Sequence, residues 1–466
     1  MEKYQVLVIG GGPGGYEAAI RASQYELSVA VIEKERLGGV CLNWGCIPTK
    51  ALVKSAELVR EIRESESFGL PAMELDVDYK AIYERKNKVV ESLVSGVEFL
   101  FRKRKIPVFN TAATKIRKVA DGFIVDLADG NSVATAYLVL ATGSTSKSLK
   151  GITIDEENIL SSTGILKLAK LPQSLAVVGG GVIGCEFASI FAALGVQVTI
   201  IEFLPRLIAL EDEEISKRLA LAFKKSGIKV LTKVGVESIS SADGRQQLNL
   251  SNGDSLAAEK VLLSVGREPV FDIATEGFEL VRERGAMVID EMMRTNIPGI
   301  YAIGDLTAKL QLAHTASKQG LMAVEHILRL IHGEEPKLHP LNYINIPRCT
   351  FTNPEIASVG YTEAEAIEVF GEIISGKFPF SASGKAMAMS ATQGFVKTIA
   401  RKDNGEIVGM HIMGPQAAEL IAQGTIMIAK RLKAEDIHDI VFAHPTLSEA
   451  IMESVEDLQN LSIHKI

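Results

Sequence analysis

The segment Cys41-Leu42-Asn43-Trp44-Gly45-Cys46 sets two thiols five positions apart around a glycine. Such a pair can close to a disulfide and reopen, moving two electrons each time. In an ideal α-helix, residues five apart rise about 7.5 Å and point in different directions. A disulfide tolerates Cα atoms no more than about 7 Å apart. This spacing therefore closes only where the segment bends, and Gly45 makes bending cheap. A strained, accessible disulfide belongs to the labile, catalytic kind. The alternatives are two inert thiols in a loop or a pair of metal ligands. Four cysteines in 466 residues point to a reducing compartment, where cysteine chemistry is more often catalytic than architectural.

A second candidate centre is His444-Pro445-Thr446-Leu447-Ser448-Glu449. Pro445 suits the first turn of a helix, where its missing N–H costs nothing. Glu449 is close enough to take one ring N–H of His444 and turn the other nitrogen toward a substrate, giving a base with an orienting carboxylate. The alternative is a surface histidine capping a helix.

Elements that could hold these groups are legible upstream. The apolar run Tyr4 to Ile9 passes directly into Gly10-Gly11-Gly12-Pro13-Gly14-Gly15, which opens an apolar-periodic stretch through Ile20. This predicts strand, tight turn and helix: Gly10 for the turn, Gly12 for approach of backbone N–H groups to a pyrophosphate, Gly15 for close helix packing. A returning strand, Ser28 to Ile32, ends in Glu33, whose carboxylate suits ribose hydroxyls.

The pattern recurs. Ser174 to Val178, then Gly179-Gly180-Gly181-Val182-Ile183-Gly184, then Val196 to Ile201 ending in Glu202, repeat the unit, and Gly15 to Glu33 and Gly184 to Glu202 are both separated by 18 positions. Each copy closes on a strand entering a glycine, Gly143 in the first and Gly266 in the second. From first to closing glycine the copies span 133 and 87 positions, so the first carries 46 more. These are assigned to a helical insert from about Lys50 to Arg104, where apolar residues recur at helical spacing among dense charges. Two dinucleotide sites imply two dinucleotides. The one beside the cysteines is read as a flavin.

With 47% hydrophobic residues and no low-complexity tract, the chain reads as a large globular protein of three or four domains. Its net charge of −7 argues against strong nucleic-acid binding. No run of 18 apolar residues predicts a membrane span, and the first strand starts too close to Met1 for a signal or transit peptide, so a cytoplasmic protein is expected.

The sequence resembles the flavoprotein disulfide reductases over essentially its whole length. The resemblance rests on Gly38 through Lys50, on Ala141-Thr142-Gly143-Ser144, on the phrase from Arg294 to Asp305, and on His444 through Glu449. Within that family it is most similar to the branch that oxidises protein-bound dihydrolipoyl groups with NAD. The fold implied is α/β, with two Rossmann-like dinucleotide-binding domains and a C-terminal α+β dimerisation domain. Expected boundaries are 1–149 for the FAD domain, 150–272 for the NAD domain, 273–345 for a central domain completing the FAD site, and 346–466 for dimerisation.

The resemblance further implies one tightly held, non-covalent FAD per subunit, contacted by Gly10, Gly12, Gly14, Gly15, Glu33, Lys50, Thr114, Thr142, Gly143, Ser144, Asp305, Ala313 and His314. It implies NAD on Gly179, Gly181, Ile183, Gly184, Glu202, Val234 and Gly266. Asp305, at a strand-ending Gly-Asp corner, would bind the ribityl chain of FAD, or serve as a helix N-cap, or both. His314 is equally a structural hydrogen-bonder. The sequence departs from the family at Ala112-Ala113-Thr114, where many members carry glycine. No metal is implied.

Cys41 and Cys46 would be the redox pair, with Cys46 the thiolate against the flavin. Lys50 and Glu186 match a buried pair, and His444, oriented by Glu449, would serve the cysteines of a partner subunit in a homodimer whose active site is shared. Glu202 would repel a 2′-phosphate and so favour NAD. Arg206 lies four residues on, after Pro205, in an expected turn where phosphate contact is disfavoured. The competing readings are an NADPH-dependent, glutathione-reductase-like enzyme and a catalytically idle docking subunit. Leu447, and Val182-Ile183 without a tyrosine, disfavour the former, and retention of Cys41, Cys46, Lys50, His444 and Glu449 disfavours the latter. A mercuric reductase is disfavoured because no vicinal cysteines end the chain. With no lipoyl domain visible at the N-terminus, the dithiol substrate is expected on a lipoylated acyltransferase or carrier protein.

Overall fold

The computed structural model describes residues 1–73, 75–334 and 339–465. They divide into two compact units, Met1–Ala51 with Lys80–Lys147 and Gly266–Leu341, and Leu52–Tyr79 with Ser148–Val265 and Asn342–Ile466.

The first unit is built on an eight-stranded sheet. The buried run of Glu2–Ile9 pairs in parallel with Val29–Ile32 on one side and Ser132–Leu140 on the other. Val108–Phe109 extends one edge and Ile300–Ala302 pairs with the end of Ser132–Leu140. The N-terminal half of Ser132–Leu140 also closes an antiparallel meander with Ala113–Val119 and Gly122–Leu127. Both faces of the parallel part are covered, so its strands read as near-continuous apolar runs such as Val6 to Ile9, all buried. The expected helical insert is present as Cys46–Arg63 and Tyr79–Arg104, of which residues 52–79 belong to the second unit.

The second unit repeats the plan with its own parallel sheet, in the order Lys229–Thr232, Gln197–Glu202, Ser174–Val178, Lys260–Leu263, Ile159–Leu160. Its meander, Val236–Ala242, Arg245–Leu250 and Ser255–Ala258, is a separate three-stranded sheet because Glu259 interrupts what is one continuous strand in the first copy.

The repetition reaches single atoms. Helices Pro13–Gln24 and Val182–Ala193 are both 12 residues long. Gly10 and Gly179 adopt φ of 106° and 105°, and a Cβ on Gly15 or Gly184 would lie 1.9 or 2.0 Å from the carbonyl of its copy's first glycine. No other residue fits there.

The C-terminal part of the second unit is an antiparallel sheet ordered Arg348–Thr350, Glu355–Gly360, Ile407–Gly414, Phe395–Arg401, Ile373–Pro379. Helices Ala417–Ala429 and Glu449–Glu456 bury their apolar faces in its core through Leu420, Ile421, Ile451 and Val455.

Candidate active site

The bend demanded by the cysteine spacing is a break between two helices. Gly39–Trp44 ends at Gly45, whose φ and ψ of −141° and −111° leave the helix, and Cys46 begins the next, Cys46–Arg63. A Cβ on Gly45 would meet the Val40 carbonyl at 2.9 Å and the Cys41 Cα at 3.3 Å. The break brings the sulfurs together as a thiol pair, with Cys41 hydrogen-bonded to Cys46. That bond, burial and the Cys46 charge push the Cys41 thiol above its ordinary value, while Lys50 pulls it down. Cys46 is the member of the pair that opens a helix. Its place at the start of an 18-residue helix favours the thiolate. Lys50 lies one helical turn further on, half-buried.

The residues of both fingers fit a dinucleotide. Gly12 and Gly181 are the N-caps of their helices with no side-chain cap, so the helix N–H groups are left for an anion. A Cβ on Gly12 would meet nothing nearer than 3.9 Å, and one on Gly181 nothing within 4 Å, so the approach is open. The acids are held alike. Glu33 takes the Gly11 N–H at 2.7 Å and the Glu35 N–H at 2.8 Å. Glu202 takes the Gly180 N–H at 2.5 Å and the Leu204 N–H at 2.6 Å. Each buried carboxylate thus ties the finger to its returning strand and keeps lone pairs for ribose hydroxyls.

Around the first finger, Gly14 packs against the Ala316 backbone, and Ala313 and His314 open the helix Ala313–Ile331, which also lacks a side-chain cap. His314 is exposed there. Near that helix end the buried Gln311 Nε2 and Thr315 Oγ1 have no protein partner, as atoms awaiting a polar ligand would. The Thr142 hydroxyl donates to the Val270 carbonyl at 2.5 Å, and Gly143 turns with φ of 76°. Asp305 lies in the first turn of Gly304–Thr307, but the N-cap is Ile303, so the capping alternative does not hold. The Asp305 carboxylate instead accepts the Ser144 hydroxyl at 2.5 Å. Thr114 is exposed and donates to the Asp126 carbonyl at 3.0 Å.

Arg267 was not singled out in the sequence. Its side chain is 14% exposed, and Nε donates to Ser144 Oγ at 2.7 Å while Nη2 donates to the Ser144 carbonyl at 2.6 Å. Nε also lies 3.7 Å from Asp305 Oδ2. The one local signal is its position just after Gly266, the glycine that closes the second repeat.

Around the second finger, Ile183 is half-buried, Val234 donates its N–H to the Glu202 carbonyl at 3.1 Å, and Gly266 turns with φ of 118°. Arg206 spends Nη2 on the Ala209 carbonyl at 2.7 Å, within its own turn. Glu186 is buried and accepts the Phe351 N–H at 2.9 Å.

Pro445 is not in the first turn of a helix. The helix begins at Glu449, because Thr446 gives its N–H to Glu449 Oε2 at 2.8 Å and its hydroxyl to the Ala443 carbonyl at 2.7 Å, which holds 443–446 as a turn. His444 Nδ1 is 2.8 Å from Glu449 Oε1, and the imidazole is largely exposed. Burial would raise the Glu449 carboxyl, but the Thr446 N–H and His444 outweigh it and hold it below the usual range. An ionised Glu449 only accepts, so Nδ1 carries hydrogen, and in the neutral imidazole Nε2 is the accepting nitrogen. The helix that presents Glu449 is pinned to the sheet by Thr398 to Ser454 at 2.8 Å and by the Lys377 N–H to Asp457 at 2.7 Å.

The chain belongs to the pyridine nucleotide-disulphide oxidoreductase family, whose model matches residues 4–320, with the family's dimerisation domain matching 346–455. It is 40% identical to dihydrolipoyl dehydrogenase of Chlamydia pneumoniae, covering 99% of this chain and 98% of that one, and 39% identical to dihydrolipoyl dehydrogenase of Bacillus subtilis, covering 99% of each. Among solved structures, the flavoprotein disulfide reductase RclA of Escherichia coli superposes with a TM-score of 0.84 at 27% identity, covering 97% of this chain and 99% of that one. LpdA of Mycobacterium tuberculosis has the same fold, with a TM-score of 0.88 at 24% identity, covering 98% of this chain and all of that one. The chain is accordingly an α/β oxidoreductase whose cofactors are FAD and NAD. Among the described residues no helix is long and apolar enough to cross a membrane.

Proposed function

We propose that the protein is an NAD-dependent dihydrolipoyl dehydrogenase that oxidises a protein-bound dihydrolipoyl group through Cys41 and Cys46. The observation that carries the reading is the helix break at Gly45, which sets two thiols side by side directly after a flavin-type finger. Near 40% identity over almost the whole length to enzymes of that name supports it.

His444, its Nε2 free to accept, takes a proton from one thiol of the substrate, because the thiolate is the nucleophile. The substrate thiolate attacks Cys41 in the oxidised enzyme, and the S–S bond breaks with Cys46 leaving as thiolate. The second substrate sulfur then attacks the first. The lipoyl disulfide closes, Cys41 is released, and two electrons and one proton remain on the cysteine pair while the other proton resides on His444. FAD supplies the two-electron relay from this dithiol to NAD. Lys50, one turn beyond Cys46, favours the thiolate.

The four-domain division at 149, 272 and 345 is proposed with the same residue assignments. The active site is completed by His444 of a second copy in a homodimer, and the dithiol arrives on a lipoylated acyltransferase or carrier protein in the cytoplasm.

Steady-state assays of the purified protein test the reading. NADH formation from dihydrolipoamide and NAD is expected. More efficient reduction of glutathione disulfide by NADPH would replace the proposal with a glutathione-reductase-like one.

A further inference from the structure

We infer that Arg267 is a positioning residue that fixes the Asp305 carboxylate through the Ser144 hydroxyl. The inference rests on the reading of Asp305 as acceptor for the ribityl hydroxyls of FAD. Arg267 opens a short strand, Arg267–Pro269, paired antiparallel with Ser144–Ser146; the backbone sets it opposite Ser146, and its side chain reaches two residues along to Ser144, 123 positions away in sequence.

The polarity of the chain of contacts is forced. A guanidinium has donors only. Ser144 Oγ therefore accepts from Arg267 Nε, and its single proton goes to Asp305 Oδ2. The second Arg267 donor, on the Ser144 backbone carbonyl, anchors the guanidinium beside the hydroxyl. Oδ2 is thereby committed, and Oδ1 takes no hydrogen bond from the described residues, which leaves it to accept from a ligand. Asp305 is one-quarter exposed, so that oxygen is reachable.

Arg267 is also a cation felt by Cys46. Burial lowers its affinity for a proton, and Asp305 and Cys46 offset only part of that. Removing the guanidinium would release the Ser144 proton from its direction, leave the Asp305 charge uncompensated and take away a cation that Cys46 feels.

The experiment compares Arg267→Met, Arg267→Lys, Ser144→Ala and Asp305→Ala by two readouts: FAD affinity of the deflavinated protein, and the pH midpoint of the thiolate-to-flavin absorbance band in the two-electron-reduced holoenzyme. Arg267→Met should weaken FAD by about tenfold or more, the scale of one charge-assisted hydrogen bond, and raise the midpoint. Arg267→Lys should restore the midpoint but not the affinity, since an ammonium supplies charge without the two-pronged fork. Ser144→Ala should weaken FAD and leave the midpoint in place. Wild-type affinity in Ser144→Ala together with loss in Asp305→Ala would overturn the relay and spare the Asp305 reading. Wild-type affinity in Asp305→Ala would overturn that reading itself. Should Arg267→Met fail to fold, Ser144→Ala and Arg267→Lys decide by the same criteria.

Discussion

Glu449 takes the Nδ1 hydrogen of His444 at 2.8 Å while its other oxygen holds the Thr446 N–H, so a single carboxylate sets both the tautomer of the imidazole and the turn that carries it. Replacing His444 by Gln should lower kcat for dihydrolipoamide oxidation by about 10²–10⁴, the range for loss of a general base. Glu449→Gln should have a smaller effect, because an amide oxygen can still accept the ring N–H. Steady-state rates decide this. Equal losses in both variants would show that the charge of Glu449, and not its orienting bond, is what matters.

For the nicotinamide cofactor, the structure sharpens the electrostatic argument. Glu202 is buried and clamped by two N–H groups, so it cannot swing away from a 2′-phosphate, and Arg206 is engaged by the Ala209 carbonyl. We expect kcat/KM for NAD to exceed that for NADP by at least about 10², corresponding to roughly 2.7 kcal/mol. Comparable values for the two cofactors would return Arg206 to consideration.

A third prediction concerns stability. Lys397, 7% exposed, holds both oxygens of Asp212, 3% exposed, at 3.1 Å, and Glu363 at 2.5 Å. Lys397→Met leaves the Asp212 charge uncompensated and should cost about 3–5 kcal/mol in urea unfolding. Burial would raise the Asp212 carboxyl, but His411 and Lys397 overcome it and hold it low. A carboxyl lowered by folding contributes stability that is present above its unfolded value and lost as pH falls through the folded one. Stability of the variant should therefore depend less steeply on pH in the acid range. Unchanged stability and slope would make the cluster energetically silent.

Much of this was legible because steric demands leave marks in sequence. A Cβ at position 15 of the finger helix would lie 1.9 Å from the Gly10 carbonyl oxygen, so only glycine is admitted there, and the same demand produced Gly184. The bend at Gly45 was implied by the reach of a disulfide. The helix start near His444 was misplaced because a side chain, Glu449, captures backbone groups of the preceding turn, and propensity cannot show that. Arg267 was illegible for a different reason. Its partners Ser144 and Asp305 lie 123 and 38 positions away, and only the sheet brings them together.

The central claim is that Cys41 and Cys46 pass electrons from a dihydrolipoyl dithiol toward NAD. Its most direct test is anaerobic mixing of dihydrolipoamide with the wild-type holoenzyme, Cys41→Ser and Cys46→Ser, following NADH formation and the thiolate-to-flavin band together. The account predicts NADH from the wild type alone, with the band retained near neutral pH in Cys41→Ser and absent from Cys46→Ser. Wild-type turnover by either serine variant would contradict it.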